Sequence, residues 1–137
     1  MRVFTVVALA VLMAGCALPG EDIFQDMADN RFMDIQPERL PSGIAGRWTG
    51  VSGPVMMTMD LAQDGSGTVC TAWGTNNSVH AIKYSGGTVY DQGGTRIDIA
   101  LDGDRLNASS PYKYGQEFQL HRDDDLSKSA PYCRQNM

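Results

Sequence analysis

The sequence lacks several features that would assign it to a common functional class. Its longest apolar run, residues 3–14, contains only one polar residue, Thr5, and is too short for a transmembrane helix, which takes about 20 residues. Lys and Arg number 11 against 16 Asp and Glu, for a net charge of −5, and they form no basic stripe, which argues against nucleic-acid binding. G-x-S-x-G, H-E-x-x-H and phosphate-loop motifs are absent. We therefore expect a protein that is not an enzyme.

Histidines are also scarce, and neither of the two has the spacing of a metal ligand. His80 shares a predicted strand face with Ile82 and Tyr84, which favours a half-buried strand residue over a ligand. His121 stands close to residues 123–125, a run of three aspartates. Successive side chains do not converge on one ion, so this stretch is typical of a solvated turn. We expect no metal and no other cofactor.

The N-terminus has the pattern of a secretory signal peptide: Arg2, a short apolar stretch and then small residues. The stretch ends on Leu-Met-Ala-Gly-Cys, which resembles the lipobox of bacterial lipoproteins. The resemblance implies cleavage between Gly15 and Cys16 and attachment of lipid, palmitate included, to Cys16. Several acyl chains anchor a protein firmly in its membrane. Ala17 is not the aspartate that often retains such lipoproteins in the inner membrane, so an outer-membrane position facing the periplasm is favoured. The alternative is an ordinary signal peptide with a chance cysteine.

With Cys16 assigned to lipid, Cys70 and Cys133 remain as an even pair in an oxidising compartment. We predict a disulfide between them. A redox-active thiol is the alternative, but the sequence has no C-x-x-C.

Three segments follow from these patterns: a cleaved signal peptide over 1–15, a lipid-anchored tether over 16–45 and a β domain over 46–137. In the tether, Asp22 is a candidate cap for a short helix whose apolar face holds Ile23, Phe24 and Met27. A flexible tether is the alternative.

From Gly46 onward, short runs of alternating apolar and polar residues are separated by glycine-rich turns. This pattern is typical of an antiparallel sandwich or barrel. The predicted strands are 47–51, 55–62, 68–73, 79–84, 88–91, 95–101, 105–108 and 117–121. About eight short strands joined by hairpins most simply form a small all-β, up-and-down barrel, because closure removes the strand edges.

The first strand opens with Gly46-Arg47-Trp48, which resembles the G-x-W signature of lipocalins and their calycin relatives. In that family the tryptophan lies at the closed end of the barrel, under a basic residue from the last strand. The resemblance implies this role for Trp48 and matches the basic residue to Arg122. The segment 46–125 is shorter than a full lipocalin with a large cavity, so we expect side chains to fill the barrel.

The chain as a whole is also similar to small lipoproteins of proteobacteria. The similarity rests on the lipobox, the tether, the Trp-Thr-Gly start, the mid-chain cysteine and the ending Ala130-Pro131-Tyr132-Cys133. This similarity does not imply a particular biochemical function.

Two loops are candidates for recognition. Residues 109–115 form a proline-interrupted loop containing Tyr112, Lys113 and Tyr114, and Trp73 begins a second loop over 73–77. Tyrosine and tryptophan are enriched at protein interfaces. The alternative is that the tyrosines fold back over one barrel mouth.

We therefore expect a lipid-anchored envelope protein that acts as a non-catalytic binding or accessory module, contacting a protein partner through loops at the barrel end. One alternative is a lipocalin-type carrier of a small apolar ligand. Another is a periplasmic lysozyme inhibitor, whose family inserts a Ser-Gly-x-x-Tyr loop into the enzyme. Here residues 85–90, Ser-Gly-Gly-Thr-Val-Tyr, are one residue longer than that motif.

Replacing the predicted lipid site should release the protein from its membrane. We expect Cys16→Ser to abolish labelling by radioactive palmitate and to block cleavage before residue 16, because both steps need the thiol. Labelling, gel mobility and membrane fractionation would measure this. Undiminished palmitate labelling of Cys16→Ser would contradict the lipobox assignment.

Overall fold

The barrel closes as eight consecutive antiparallel strands. A computed structural model describes residues 31–112 and 115–137. The strands pair in chain order, and β8 returns to β1, which confirms the predicted up-and-down barrel. Their bounds are β1 Gly46–Ser52, β2 Val55–Leu61, β3 Ser66–Trp73, β4 Asn76–Ser85, β5 Thr88–Asp91, β6 Arg96–Asp102, β7 Arg105–Ser109 and β8 Glu117–Arg122. A short helix, α1 (Pro131–Asn136), follows β8.

Strand alternation places the apolar residues inside. In β2, Met57, Met59 and Leu61 are buried in the barrel, as the period of two predicts. Several strand bounds differ from the predicted ones. In the predicted loop over 73–77, Trp73 pairs with Asn76, so only residues 74–75 form the loop. A loop of two residues is enough there because Gly74 has a φ of 58°, the positive value that a two-residue hairpin accepts at its first loop position.

The two ends of the barrel differ. At one end, which we call the closed end, the turns between β2 and β3, β4 and β5, and β6 and β7 meet the N-terminal segment 31–45. The opposite end, which we call the mouth, carries loops 53–54, 74–75, 92–95 and 110–116. The interior is filled by Trp48, Met57, Met59, Leu61, Val69, Ile82, Tyr84, Val89, Ile97, Ile99, Leu106, Ala108, Phe118 and Leu120.

Segment 31–45 packs across the closed end through turns. Leu40 and Ile44 join the hydrophobic core. The backbone N–H of Glu38 donates to the Tyr84 carbonyl at 2.8 Å, and that of Leu40 donates to Gln63 at 3.0 Å. This part of the predicted tether is therefore docked on the barrel. The predicted signal peptide, Cys16 and the helix candidate lie outside the described residues, and within 31–112 and 115–137 no helix has the length and apolarity to cross a membrane.

The predicted disulfide joins Cys70 on the outer face of β3 to Cys133 in α1 and is confirmed, with an S–S distance of 2.07 Å. Both cysteines are completely buried, because the chain after β8 folds back over the outside of the barrel. The same segment buries Thr58 of β2, although Thr58 points away from the interior. Strand periodicity separates the two faces of a strand but does not show which part of the outer face is covered.

Loss of the disulfide should destabilise the fold strongly. The bond closes a loop of 63 residues, and loop-closure entropy assigns such a cross-link roughly 4 kcal/mol. We expect the Cys70→Ser/Cys133→Ser double variant to lose about this much unfolding free energy in urea titrations, and reduction of the wild type with dithiothreitol to reproduce the loss. Equal urea midpoints for the oxidised wild type and the double variant would contradict the expectation.

Candidate functional site

The closed end is sealed by the two residues that the G-x-W resemblance singles out. Trp48 is 1% exposed, and its indole N–H donates to the Ile44 carbonyl at 2.8 Å. The Arg122 guanidinium lies 4.0 Å from the centroid of the Trp48 ring. It also donates to the carbonyls of Ala45 and Gly43. Arg122 thus joins the last strand to the first and to the N-terminal segment, and these described residues cover the closed end.

Gly46 is the third part of the same arrangement. It has a φ of 123°, which L side chains rarely adopt, and a Cβ there would come within 2.2 Å of Arg122 Nη1. Only glycine leaves room for the arginine over the tryptophan. The spacing in G-x-W therefore serves the packing of Arg122.

A buried polar cluster lies on the outer face of the barrel, beneath the C-terminal segment. It consists of Thr49, Thr58, Ser129 and Asp123, all at most 4% exposed. Asp123 Oδ2 accepts from the hydroxyls of Thr49 at 2.7 Å and Ser129 at 2.8 Å, and Thr58 donates to Ser129 at 3.0 Å. The solvated turn predicted for residues 123–125 is thus wrong for Asp123. It holds for Asp124 and Asp125, which are exposed.

Hydrogen bonds keep the Asp123 carboxylate ionised despite its burial. Burial alone would raise its pKa, but the Lys128 backbone N–H, the Thr49 and Ser129 hydroxyls and the charge of Lys128 together outweigh it, so the net pKa lies below its usual value. The Lys128 N–H donates to Oδ1 at 2.9 Å. Each hydroxyl in the cluster is engaged and shielded from solvent, so the cluster fastens the C-terminal segment to the barrel rather than meeting a substrate.

The mouth, by contrast, opens to solvent. Trp73 is 57% exposed, although it occupies an inward register position at the end of β3. Beside it lies a cavity of about 290 Å³, which we call the mouth pocket. Its described lining consists of Val55, Thr71, Trp73, Asn76, Asn77, Ser78 and Gln116. The Thr71 and Ser78 hydroxyls are 2.8 Å apart and hydrogen-bonded to each other.

A histidine and an aspartate pair on the inward face nearer the middle of the barrel. His80 Nδ1 lies 2.9 Å from Asp91 Oδ1, and Asp91 also accepts from the Gly93 N–H at 2.7 Å and the Thr95 hydroxyl at 3.1 Å. His80 is a half-buried strand residue, as predicted, but its partner was missed. The signal was present, because Asp91 follows Val89 by two positions and therefore faces the same side of β5.

The other predicted site residues are distributed between the mouth and the outer surface. Tyr112 is half-buried, and the Arg96 guanidinium lies 5.9 Å from the centroid of its ring. Lys113 and Tyr114 lie outside the described residues. His121 is exposed on the outer face of β8. Among residues 31–112 and 115–137, no three His, Cys, Asp or Glu side chains come together in a way that could hold a metal ion.

A larger depression, about 480 Å³, runs along the β7–β8 hairpin. Its described lining, residues 107–109 and 117–119, alternates between the two faces of these strands. It is therefore a furrow in the surface rather than barrel interior, and the mouth remains the opening where an exposed aromatic ring adjoins a cavity.

Comparison with known proteins agrees with this architecture. Residues 29–137 match the YedD family, described as the bacterial lipocalin LPS transport optimiser YedD. The chain belongs to the YedD family. Among solved structures, it is similar to the lipoprotein YedD from Klebsiella pneumoniae, with a TM-score of 0.57 and 15% sequence identity over 77% of this chain and 91% of that one.

A second structural relative is a lipoprotein from Streptococcus pneumoniae, with a TM-score of 0.51 and 14% identity over 64% of this chain and all of that one. At these identities the two structures establish the fold alone. No curated protein matches the sequence. Membership of the YedD family makes the chain a lipocalin-type lipoprotein of the bacterial envelope, in agreement with the resemblances seen in the sequence.

The buried carboxylate predicts a specific dependence of stability on pH. A lowered pKa means that Asp123 stabilises the fold fully above its unfolded value, 3.8, and loses this effect as the pH falls through the folded value. Asp123→Asn should cost about 2 kcal/mol at pH 7, a difference that shrinks on acidification below about pH 4. Thermal or urea unfolding from pH 7 to 2.5 measures it.

Asp124→Asn is the matched control, because the neighbouring side chain is exposed. It should unfold like the wild type at every pH. An Asp123→Asn variant as stable as Asp124→Asn at pH 7 would show that the cluster does not fasten the segment.

Proposed function

We propose that this chain is a lipid-anchored, non-catalytic accessory protein that acts through its mouth to support lipopolysaccharide transport across the envelope. The family description, an optimiser of LPS transport, supports the process. The lipocalin-type barrel, a fold that binds rather than catalyses, supports the non-catalytic role.

One observation carries the assignment to the mouth: the two ends of the barrel are unequal. The closed end is sealed by Arg122 over Trp48 and by the docked segment 31–45. The mouth presents Trp73, 57% exposed, beside an open cavity. Exposed tryptophan is among the residues most enriched in binding hot spots.

The direction of the chain supports the same proposal. Phe32 is buried at the closed end, where its carbonyl accepts from Lys83 Nζ at 2.8 Å. The described chain therefore begins at the closed end. In this proposal a lipid on Cys16 holds the protein at the outer membrane, and the mouth is the end that meets periplasmic components.

The two alternatives fit the structure less well. A carrier of apolar ligands needs an open apolar cavity, whereas side chains fill this barrel beneath the mouth. A lysozyme inhibitor would need a free loop at residues 85–90. Here the Ser85 hydroxyl and the Gly86 N–H both donate to the Glu38 carboxylate, at 2.9 and 3.2 Å, which ties this loop to the docked segment.

A complementation assay tests the proposal in the bacterium that carries the gene. Deletion should slow the arrival of pulse-labelled lipopolysaccharide at the cell surface and sensitise cells to vancomycin, which an intact outer membrane excludes. The wild-type gene should restore both properties, and Trp73→Ala should restore neither, because it removes the exposed ring from the mouth.

Met33→Ala is the matched control. Met33 is 78% exposed but lies in the docked segment at the closed end, so this variant should complement fully. Immunoblots must show equal amounts of each variant. Normal transport in the deletion strain would contradict the role in transport, and full complementation by Trp73→Ala would contradict the role of the mouth.

A further inference from the structure

The mouth pocket combines one large aromatic ring with neutral hydrogen-bonding groups. Its inward-facing lining supplies two amides, from Asn76 and Gln116, and two hydroxyls, from Thr71 and Ser78. Asn77 alternates to the outer face of β4, where its amide donates to the Thr75 carbonyl at 3.3 Å. None of the described lining residues is charged. An amide offers both a donor and an acceptor, and a hydroxyl offers either, so the pocket suits a ligand that is itself rich in neutral hydroxyls.

Trp73 supplies an apolar surface on which the ring of such a ligand can pack. The indole ring is a broad apolar plane, and 57% of the residue remains exposed. A pyranose ring carries C–H groups on its faces and hydroxyls around its edge. One face can therefore pack on the indole while the edge hydroxyls bond to the amides, which satisfies both parts of the ligand.

The size of the pocket limits the ligand to one ring. Its volume, about 290 Å³, equals the bulk volume of ~10 water molecules and lies at the lower bound of ~300 Å³ for pockets that enclose drug-sized ligands. An acyl chain would have to continue into the barrel, where the core side chains leave no path.

Among the described residues, charged groups near the mouth are already engaged with protein. The inward-facing His80 and Asp91 pair with each other, and Asp91 accepts two further hydrogen bonds from loop 92–95. Arg96 lies against the Tyr112 ring. A carboxylate or phosphate on the ligand would therefore meet no charged partner in the described lining, so acidic sugars are disfavoured.

We propose that the mouth pocket binds one neutral hexose ring of a glycan, stacked on Trp73 and held by the amides of Asn76 and Gln116. This inference rests on the proposed function, in which the same mouth acts in lipopolysaccharide transport, and it specifies the neutral sugars of that molecule as the part recognised. A lipid-free glycan of other origin carries the same chemistry, and the experiment separates the two sources.

The two tryptophans allow a direct test by ¹⁵N NMR on the lipidated full chain. Dodecylphosphocholine micelles are suitable because their headgroup is not a sugar. Three probes are titrated in parallel: lipid-free, dephosphorylated core oligosaccharide from lipopolysaccharide, maltotriose and glucose 6-phosphate. We expect the core oligosaccharide to shift the Trp73 indole signal and the side-chain amides of Asn76 and Gln116 saturably, whereas the buried Trp48 indole stays in place as an internal reference.

Variants identify the contacts. Trp73→Ala should weaken binding about tenfold, as followed by the Asn76 and Gln116 signals, and Trp73→Phe should retain most of the affinity because it keeps an aromatic face. Met33→Ala at the closed end should bind like the wild type. Unchanged Trp48 and methyl signals in each variant show that the fold is intact.

Each outcome bears on the proposal. Saturable shifts with the core oligosaccharide and weaker shifts with maltotriose support it and assign the source to lipopolysaccharide, while equal shifts with both support a site for neutral hexoses in general. Absence of shifts with both neutral probes, or equal binding of glucose 6-phosphate, overturns it. Failure of sugar binding while Trp73→Ala still fails to complement would overturn this inference and leave the accessory role standing with a protein partner at the mouth.

Discussion

The packing of Arg122 over Trp48 joins the last strand of the barrel to the first. Strands β1 and β8 come from opposite ends of the domain, and their register comprises only Trp48 with Arg122 and Thr49 with His121. The β3–β4 hairpin, by comparison, pairs along eight positions. One further backbone hydrogen bond, from the Asp123 N–H to the Arg47 carbonyl at 3.0 Å, extends this short pairing, and side chains reinforce it. On the inner face Arg122 covers Trp48 at 4.0 Å, and on the outer face Thr49 donates to Asp123 at 2.7 Å.

Trp48 and Thr49 are neighbours in β1, and Asp123 directly follows Arg122, the last residue of β8. Because successive side chains of a strand point to opposite faces, the two contacts join the strands on the inner and the outer face. The inner contact recruits segment 31–45 through the carbonyls of Ala45 and Gly43. The outer contact recruits the C-terminal segment through Ser129 and Lys128, which the disulfide then pins to β3. A glycine is also needed in β1 where it lies against the backbone of β8, because a Cβ on Gly50 would lie 2.3 Å from the Gln119 carbonyl oxygen. Both chain termini of the domain thus serve closure.

The sequence predicted the barrel well because strands and hairpin turns are specified by residues close together in the chain. Alternation and glycine turns place all eight strands, and G-x-W with a late arginine pointed to both members of the inner contact. What it did not reveal depends on distant segments folding over each other. Asp123 stands in a run of three aspartates that looks solvated, yet it is buried because the distant Thr49 hydroxyl of β1 and the nearby Lys128 N–H and Ser129 hydroxyl converge on it. Helix α1 has only six residues, too few for a helical periodicity, and Thr58 is buried only because the tail covers it.

The distribution of these structural contacts explains why the candidate binding residues lie at the mouth. Core side chains and two terminal segments occupy the closed end and much of one outer face, and they engage the charged and hydroxyl groups there in structural contacts. At the mouth, inward positions of β3 and β4 switch from apolar to polar, from Val69 and Ile82 to Thr71 and Ser78, and then end on the exposed ring of Trp73. Polar inward residues contribute nothing to a hydrophobic core. Thr71 and Ser78 lie at the end of the barrel that is open to solvent, which is consistent with a site shaped by recognition rather than by core packing.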